Sequence, residues 1–165
     1  MHKIVVGTLC LLIACTSSHT SVKPSAVPVG YRVISEKENP ASCVDAVDFA
    51  VAQTEHTWID IFDRETQCQP DRDINLPDVD FKSEIGIAAW WKIAPCLGFT
   101  VKTTSVERIG RDVVIRATEH GPAPGACAQA RAPLESFLVL RRSDVTPGSV
   151  RFVLDGRSVG TEPVS

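Results

Sequence analysis

One acidic stretch of this chain has the composition of a metal-binding loop, Asp71-Arg-Asp73-Ile-Asn75. Carboxylates at alternate positions can converge on a calcium ion, as they do in an EF-hand loop. The rest of such a loop does not fit, because Leu76 stands where the sharp turn needs glycine and Lys82 stands where the bidentate glutamate belongs. We therefore predict a solvated acidic loop without a metal, and keep a calcium-dependent protein or enzyme as an alternative.

A second candidate for chemistry is the pair Glu119-His120, which could act as acid and base at the end of a strand. A histidine beside a loop is more often a polar surface residue. The nucleophile patterns GxSxG and SxxK, the zinc pattern HExxH and the glycine-rich phosphate-binding loops do not occur in the sequence. We predict no catalytic residues, no cofactor and no enzymatic activity.

The cysteines favour disulfide chemistry. Cys10 and Cys15 lie close to the N-terminus, and four more follow: Cys43, Cys68, Cys96 and Cys127. An even number is typical of disulfides in an oxidising compartment, and intervals of 25, 28 and 31 residues do not resemble the short ligand spacings of a zinc site. Spacing alone cannot choose among the three possible pairings. We expect Cys43 to pair with Cys68 and Cys96 with Cys127.

The N-terminal residues have the layout of an export signal. A positive start at Lys3 precedes an apolar run of about ten residues, half of what a membrane span requires. The run closes with Leu12-Ile13-Ala14-Cys15, which resembles a lipobox, where a peptidase cuts before a lipidated cysteine. We predict a lipoprotein signal peptide over residues 1–14 and acylation, palmitate included, at Cys15. Thr16 in place of aspartate favours the outer membrane over the inner one, on the periplasmic or surface face.

Length and charge limit the remaining possibilities. The chain has 165 residues, enough for one ordinary domain, and 44% of them are apolar. Its formal charge is −3, and removal of residues 1–14 would take away only Lys3 and leave −4. Nucleic-acid binding requires a clustered basic face, which this composition does not suggest. We expect a folded domain that binds no nucleic acid.

The sequence predicts mainly β-strands around these residues. We predict a flexible tether over residues 15–30, one β-rich domain over 31–158 and a C-terminal tail over 159–165. Thr54 can cap a helix whose apolar face carries Trp58, Ile61 and Phe62. Alternating patterns predict the strands, with a helix from Val44 as the alternative for the second: Tyr31–Ser35; Val47, Phe49, Val51; Ile85, Ile87, Ala89, Trp91; Phe99, Val101, Thr103; Val113, Ile115, Ala117; Phe137, Val139, Arg141; Val150, Phe152, Leu154. The pattern of residues 107–112, between two of these strands, predicts a hairpin turn.

Short strands with a single helix favour a mainly β fold of the α+β class, an antiparallel sandwich or a partly closed barrel. Three stretches in order carry a family resemblance: Leu76-Pro-Asp-Val-Asp80-Phe81, with Trp58 before it; Gly98-Phe-Thr-Val101 through Val106-Glu-Arg; and Glu119-His-Gly121-Pro-Ala-Pro-Gly125-Ala-Cys127, followed by Ala132-Pro133 and the strand to Arg141. Together they resemble the domain of PrcB-type protease complex subunits, over roughly residues 49–155. The resemblance implies a small non-catalytic module that accompanies an extracytoplasmic partner, in the founding case a subtilisin-like protease.

Two loops would then contact the partner, and their predicted contact residues are Pro95, Leu97, Gly98, Phe99, Gly121, Pro122, Pro124 and Gly125. This chain departs from the family pattern at Cys96, where the family has a small flexible residue. A bridge to Cys127 would join the two loops and make them rigid, and the partner could differ from the family's. The glycine-aromatic loop also resembles, more faintly, chagasin-type inhibitors of cysteine proteases. Plain turn chemistry at the glycines and prolines is the other interpretation.

Overall fold

The computed structural model describes residues 24–68, 76–94, 96–125, 132–145 and 147–165. Within these ranges the chain forms one helix, α1 (Glu55–Thr66), a short 3₁₀ turn (Arg142–Asp144) and nine strands. The strands are β1 (Ala26–Pro28), β2 (Tyr31–Glu38), β3 (Asp48–Ala52), β4 (Glu84–Ala94), β5 (Thr100–Ile109), β6 (Asp112–His120), β7 (Ala132–Arg141), β8 (Gly148–Leu154) and β9 (Arg157–Val164).

The strands form two sheets that pack as a sandwich. The larger sheet has the order β1-β5-β6-β8-β9 and the smaller one the order β2-β7-β4-β3. All neighbouring strands are antiparallel except β6 and β8, which are parallel. The predicted mainly β fold with one helix is confirmed, and of the two predicted architectures the chain adopts the sandwich.

The main core lies between the sheets, because alternate residues of each strand point inward. Its buried members include Ile85, Ile87, Trp91, Val113, Ile115, Leu138, Val150 and Phe152. The hairpin predicted at residues 107–112 is present, with Ile109 opposite Asp112 and Gly110 in the turn at φ 67°. The predicted strand around Phe49 is also confirmed, and the alternative of a helix from Val44 is wrong.

Helix α1 covers the outer face of the smaller sheet. The Thr54 hydroxyl accepts the N–H of Thr57, as the predicted cap requires, and the apolar face of the helix is buried through Trp58, Ile61 and Phe62. These side chains pack on Ala88, Trp90 and Phe137 in a second apolar cluster. The smaller sheet is therefore buried on both faces.

Two predicted boundaries are wrong. The predicted tether over residues 15–30 includes β1, which pairs with β5 from Ala26 opposite Ile109 to Pro28 opposite Glu107. The predicted tail over residues 159–165 is most of β9, which pairs with β8. Both segments lack a clear apolar alternation, and their strand conformation comes from hydrogen bonds to neighbours already in the sheet.

Candidate functional site

The two predicted loops lie at the same end of the sandwich. Residues 96–99 precede β5 and residues 121–125 follow β6, and these strands end as neighbours, since Thr100 is opposite His120. The turn at Asp155-Gly156, between β8 and β9, lies beside them, because Leu154 pairs with Ala117 of β6. We call residues 96–99, 121–125 and 155–156 the loop end.

Glycines allow the first two loops to approach each other. A Cβ atom on Gly121 would lie 3.6 Å from the ring of Phe99, so the ring and the glycine are direct neighbours. Gly98 and Gly125 have φ angles of 105° and 83°, in the region that L side chains rarely adopt. Pro122 is half-buried, whereas Gly121, Ala123, Pro124 and Gly125 are exposed. The structure thus brings together the described residues of both predicted loops.

The carboxylate of Glu38, the last residue of β2, holds the first loop. Its Oε2 accepts the N–H of Gly98 at 2.8 Å and its Oε1 accepts the N–H of Phe99 at 2.7 Å. Two residues earlier, Glu36 Oε1 accepts the N–H of Thr103 at 2.8 Å. Charge-assisted hydrogen bonds of this length are about twice as strong as neutral ones. Sequence reasoning missed Glu38, because its partners lie about 60 residues away.

Disulfides stabilise the same end of the molecule. The predicted bond between Cys43 and Cys68 is confirmed, with their Cα atoms 5.6 Å apart. Cys96 is buried and disulfide-bonded. Its predicted partner Cys127 lies outside the described residues, so that pairing stays a prediction. Pro95 and Cys15 also lie outside them. Leu97 is half-buried beside Cys96.

An open cleft of about 550 Å³ lies beside the loop end. It has both apolar and charged walls, formed by Val47, Trp91, Glu119, Leu154, Asp155, Arg157, Ser158 and Val159. We call it the Trp91 cleft. Asp155 Oδ1 accepts the backbone N–H of Glu119 at 3.4 Å, which ties the β8–β9 turn to the end of β6. Sequence reasoning did not find this cleft, since its walls come from separate strands.

The other candidates for chemistry do not form a site in the part of the chain that the structure describes. Glu119 faces the Trp91 cleft, whereas His120 is exposed, and consecutive strand residues point to opposite faces. No group of three metal-binding side chains occurs among the described residues. Asp71, Asp73 and Asn75 of the calcium alternative lie outside them, so that alternative is not tested. No described helix is long and apolar enough to cross a membrane.

Comparisons of this chain with protein families, with curated proteins and with solved structures find no match. The resemblance to PrcB-type subunits rests on the order of the three sequence stretches, and it stays a prediction.

Proposed function

We propose that this protein is a non-catalytic lipoprotein of the bacterial envelope, anchored through Cys15, that binds an extracytoplasmic protein with its loop end. The PrcB resemblance makes an accessory role in a protease complex the favoured form of this function. The observation that carries the proposal is the meeting of both predicted loops at one end of the sandwich, next to an open cleft.

The first loop, residues 96–99, is already ordered before any partner binds, which supports this proposal. Glu38 fixes the backbone at Gly98 and Phe99 through two hydrogen bonds, and the disulfide of Cys96 restrains the residue where that loop begins. Ordering a flexible loop on binding costs free energy for each immobilised residue. A loop that is already ordered leaves more of the contact energy as affinity.

The position of the N-terminal segment supports it as well. β1 pairs with β5 so that Ala26 lies opposite Ile109, the last residue of β5, whereas the loop end adjoins Thr100, the first. A ten-residue strand spans about 30 Å. A lipid at Cys15 would therefore hold the domain from one end, and the loop end would point away from the anchor toward other envelope proteins.

Affinity capture with matched variants tests the binding function. The tagged full chain is recovered from the cells that make it, with Ala123→Arg in the loop end and Ser143→Arg in the 3₁₀ turn at the opposite end. Both positions are exposed, so neither arginine disturbs the core. We expect Ala123→Arg to lower recovery of the bound protein at least about tenfold, as a buried charge at an interface centre does. Equal recovery with both variants, or no bound protein at any salt concentration, would contradict the function.

The anchor has its own test, labelling with an alkyne fatty acid followed by separation of membranes. We expect wild type to carry the label and sediment with membranes, and Cys15→Ala to lose the label. A wild-type chain that keeps residues 1–14 and takes up no label would exclude the anchor while leaving the result at Ala123 interpretable.

A further inference from the structure

We infer that Val27, Tyr31 and Val33 form a surface that rests on the headgroup layer of the phospholipid bilayer to which Cys15 anchors the chain. We call these three side chains the edge stripe. The inference rests on the proposed lipid anchor, and it adds the face of the domain that contacts the membrane.

The edge stripe holds three of the four large apolar side chains that are exposed in the described ranges. Val27 and Val33 are each 45% exposed, and Tyr31 is 40% exposed. They lie on β1 and β2, which are edge strands, each with a single neighbour in its sheet. Tyr31 and Val33 are alternate residues of β2, so they share one face of that strand. The exposed apolar groups are therefore gathered on one edge of the sandwich.

The fold holds the edge stripe in place. Val29, between β1 and β2, is 8% exposed in the main core, and its N–H donates to the carbonyl of Val106 at 2.9 Å. Tyr31 and Val33 lie opposite Leu140 and Leu138 of β7, which are core residues too. The stripe is therefore formed before it meets a surface, and binding requires little ordering of the chain.

The chain before the edge stripe keeps it close to the proposed anchor. Residues 16–23 separate Cys15 from Pro24, the first residue that the structure describes. Even a fully extended chain would span only about 30 Å over that distance. An acylated Cys15 would thus hold the stripe near the lipid headgroups at a high effective concentration. A contact too weak to hold a free partner is sufficient for a domain that is already tethered.

The charges near the edge stripe do not select a charged partner. Arg32 forms an ion pair with Glu84 at 3.3 Å. Arg108 and Arg111 line a hollow together with Asp144, so two cations and one carboxylate leave one positive charge in excess. Apolar contact would therefore provide most of the binding, and lipids without net charge are sufficient for it.

The chemistry and the size of the edge stripe favour lipid over a second copy of the chain. Tyrosine is typical of membrane interfaces, because its ring is apolar and its hydroxyl can stay among the headgroups. A stable dimer buries about 800 Å² on each partner, far more than three side chains that are less than half exposed can offer. We therefore assign the stripe to the bilayer surface.

The test follows Tyr31, the single tyrosine of the sequence, by fluorine NMR. The full acylated chain, labelled with fluorotyrosine, is placed in nanodiscs of phosphatidylcholine and phosphatidylethanolamine. Some of these nanodiscs contain a lipid with a nitroxide just below its headgroup, which broadens the resonances of nearby nuclei. We expect the nitroxide to remove the Tyr31 resonance. A Tyr31 resonance that persists beside the nitroxide would overturn the inference.

A control chain moves the probe to the other end of the sandwich. Tyr31→Phe combined with Val47→Tyr places the only tyrosine in the Trp91 cleft, beside the loop end, at a position that is 59% exposed in wild type. The resonance of this chain should survive the nitroxide. Equal broadening at the two positions would contradict contact through the edge stripe.

Charged substitutions test the apolar contact itself. Val27→Asp combined with Val33→Asp puts two carboxylates into the stripe, and placing a charge in an apolar layer is costly. Tyr31 should then keep its resonance beside the nitroxide, whereas Val47→Asp, the matched control, should leave the broadening of Tyr31 unchanged. Thermal denaturation checks that both variants are folded. Broadening that survives both stripe substitutions would exclude the apolar contact.

Failure of this inference is distinguishable from failure of the proposed function. A chain that carries the fatty-acid label but shows no broadening at Tyr31 would overturn the inference alone, and loss of capture by Ala123→Arg would still support binding by the loop end. A chain that takes up no label would overturn the anchor and this inference together.

Discussion

Asn39 connects two buried carboxylates from different elements. Its Nδ2 donates to Glu65 of α1 at 2.7 Å and to Glu135 of β7 at 2.8 Å, and Ser35 Oγ donates to the other oxygen of Glu135 at 2.7 Å. Glu65 and Glu135 are 4% and 2% exposed. Buried polar groups are tolerated only when hydrogen bonds replace those that water would make. This one amide therefore links the end of β2, the helix and the smaller sheet.

Replacing Asn39 by alanine should be costly. Asn39→Ala removes a donor from both carboxylates at once, and we expect the free energy of unfolding to fall by about 3 kcal/mol. Ser35→Ala removes a single donor and should cost about 1 kcal/mol. Urea denaturation of both variants measures the difference. Equal losses for the two would contradict the role of Asn39 as the shared donor.

Ionisation of the Asp80 carboxyl makes the stability of the fold depend on pH. The pKa of its carboxyl is lowered by the hydrogen bond from Ser83 Oγ, then by that from the Lys82 N–H and by the charge of Lys82. A carboxyl whose pKa is lower in the folded state than in the unfolded state stabilises the fold at pH values above its pKa in the unfolded state. This contribution is lost as the pH falls through its pKa in the folded state. We therefore expect wild type to lose more stability than Asp80→Asn between about pH 5 and pH 2 in thermal denaturation. If the thermal stability of wild type and of Asp80→Asn fell by the same amount over this pH range, the contribution of Asp80 would be contradicted.

Sequence patterns could identify single residues whose role is local. The role of Thr54 as a helix cap involves only Thr57, three residues away. The role of Gly98 and Gly125 involves only the backbone conformation at their own positions. Glu38 and Asn39 act on residues far along the chain. A glutamate at a strand end looks the same whether it is solvated or holds a loop. The roles of Glu38 and Asn39 could be recognised only from the folded structure, which brings their distant partners together.

At the scale of elements, the contact of α1 with the smaller sheet depends on Gly86. A Cβ atom at Gly86 would lie 2.7 Å from the ring of Trp58, which is itself buried and hydrogen-bonded through its indole N–H to the carbonyl of Pro77. The ring cannot move without losing that bond and its packing. Gly86 is therefore the position that lets the helix lie close to β4.

Enlarging this glycine should separate helix and sheet. We expect Gly86→Ala to lower the free energy of unfolding by about 2–3 kcal/mol, as overpacking of a core does. Gly30→Ala is the control, because a Cβ there meets nothing within 4 Å, and its effect should stay within about 0.5 kcal/mol. Chemical denaturation measures both. A Gly86→Ala protein as stable as Gly30→Ala would exclude the tight contact.

The glutamates of β2 should order separate segments of the site. In Glu38→Ala the amides of Gly98 and Phe99 lose their acceptor, and their hydrogen exchange should speed up about tenfold or more, while that of Thr103 stays the same. Glu36→Ala should show the reverse pattern, since its partner is Thr103. Exchange followed by NMR reports each amide separately. Uniform acceleration in either variant would indicate loss of global stability instead.

The elements also show why the strand prediction stopped short at both ends. Strands β4 to β8 and the helix carry clear apolar periodicity, and their positions were predicted. β1 has three exposed residues and exists through its pairing with β5. β9 is largely polar, but the Asp155-Gly156 pair that precedes it is a strong signal for a two-residue hairpin. That signal could have extended the domain to the end of the chain.

In the molecule as a whole, the N-terminal strand β1 and the loop end lie at opposite ends of the sandwich. β1 joins the larger sheet near Ile109, and the predicted contact loops and the Trp91 cleft lie at the other end of β5. The order of the strands along the sheets could not be predicted from sequence, because the parallel pairing of β6 with β8 joins strands separated by β7. That pairing places the Asp155 turn beside Glu119 and so forms one wall of the cleft.

Photocrosslinking in cells from the two ends of the sandwich tests binding by the loop end. A benzoylphenylalanine replaces Ala123 in the loop end in one strain and Arg111, in the turn between β5 and β6, in another, both at exposed positions of the full chain. We expect a defined protein adduct from position 123 and none from position 111. Adducts of the same protein in equal yield from both positions, or none from position 123, would contradict it.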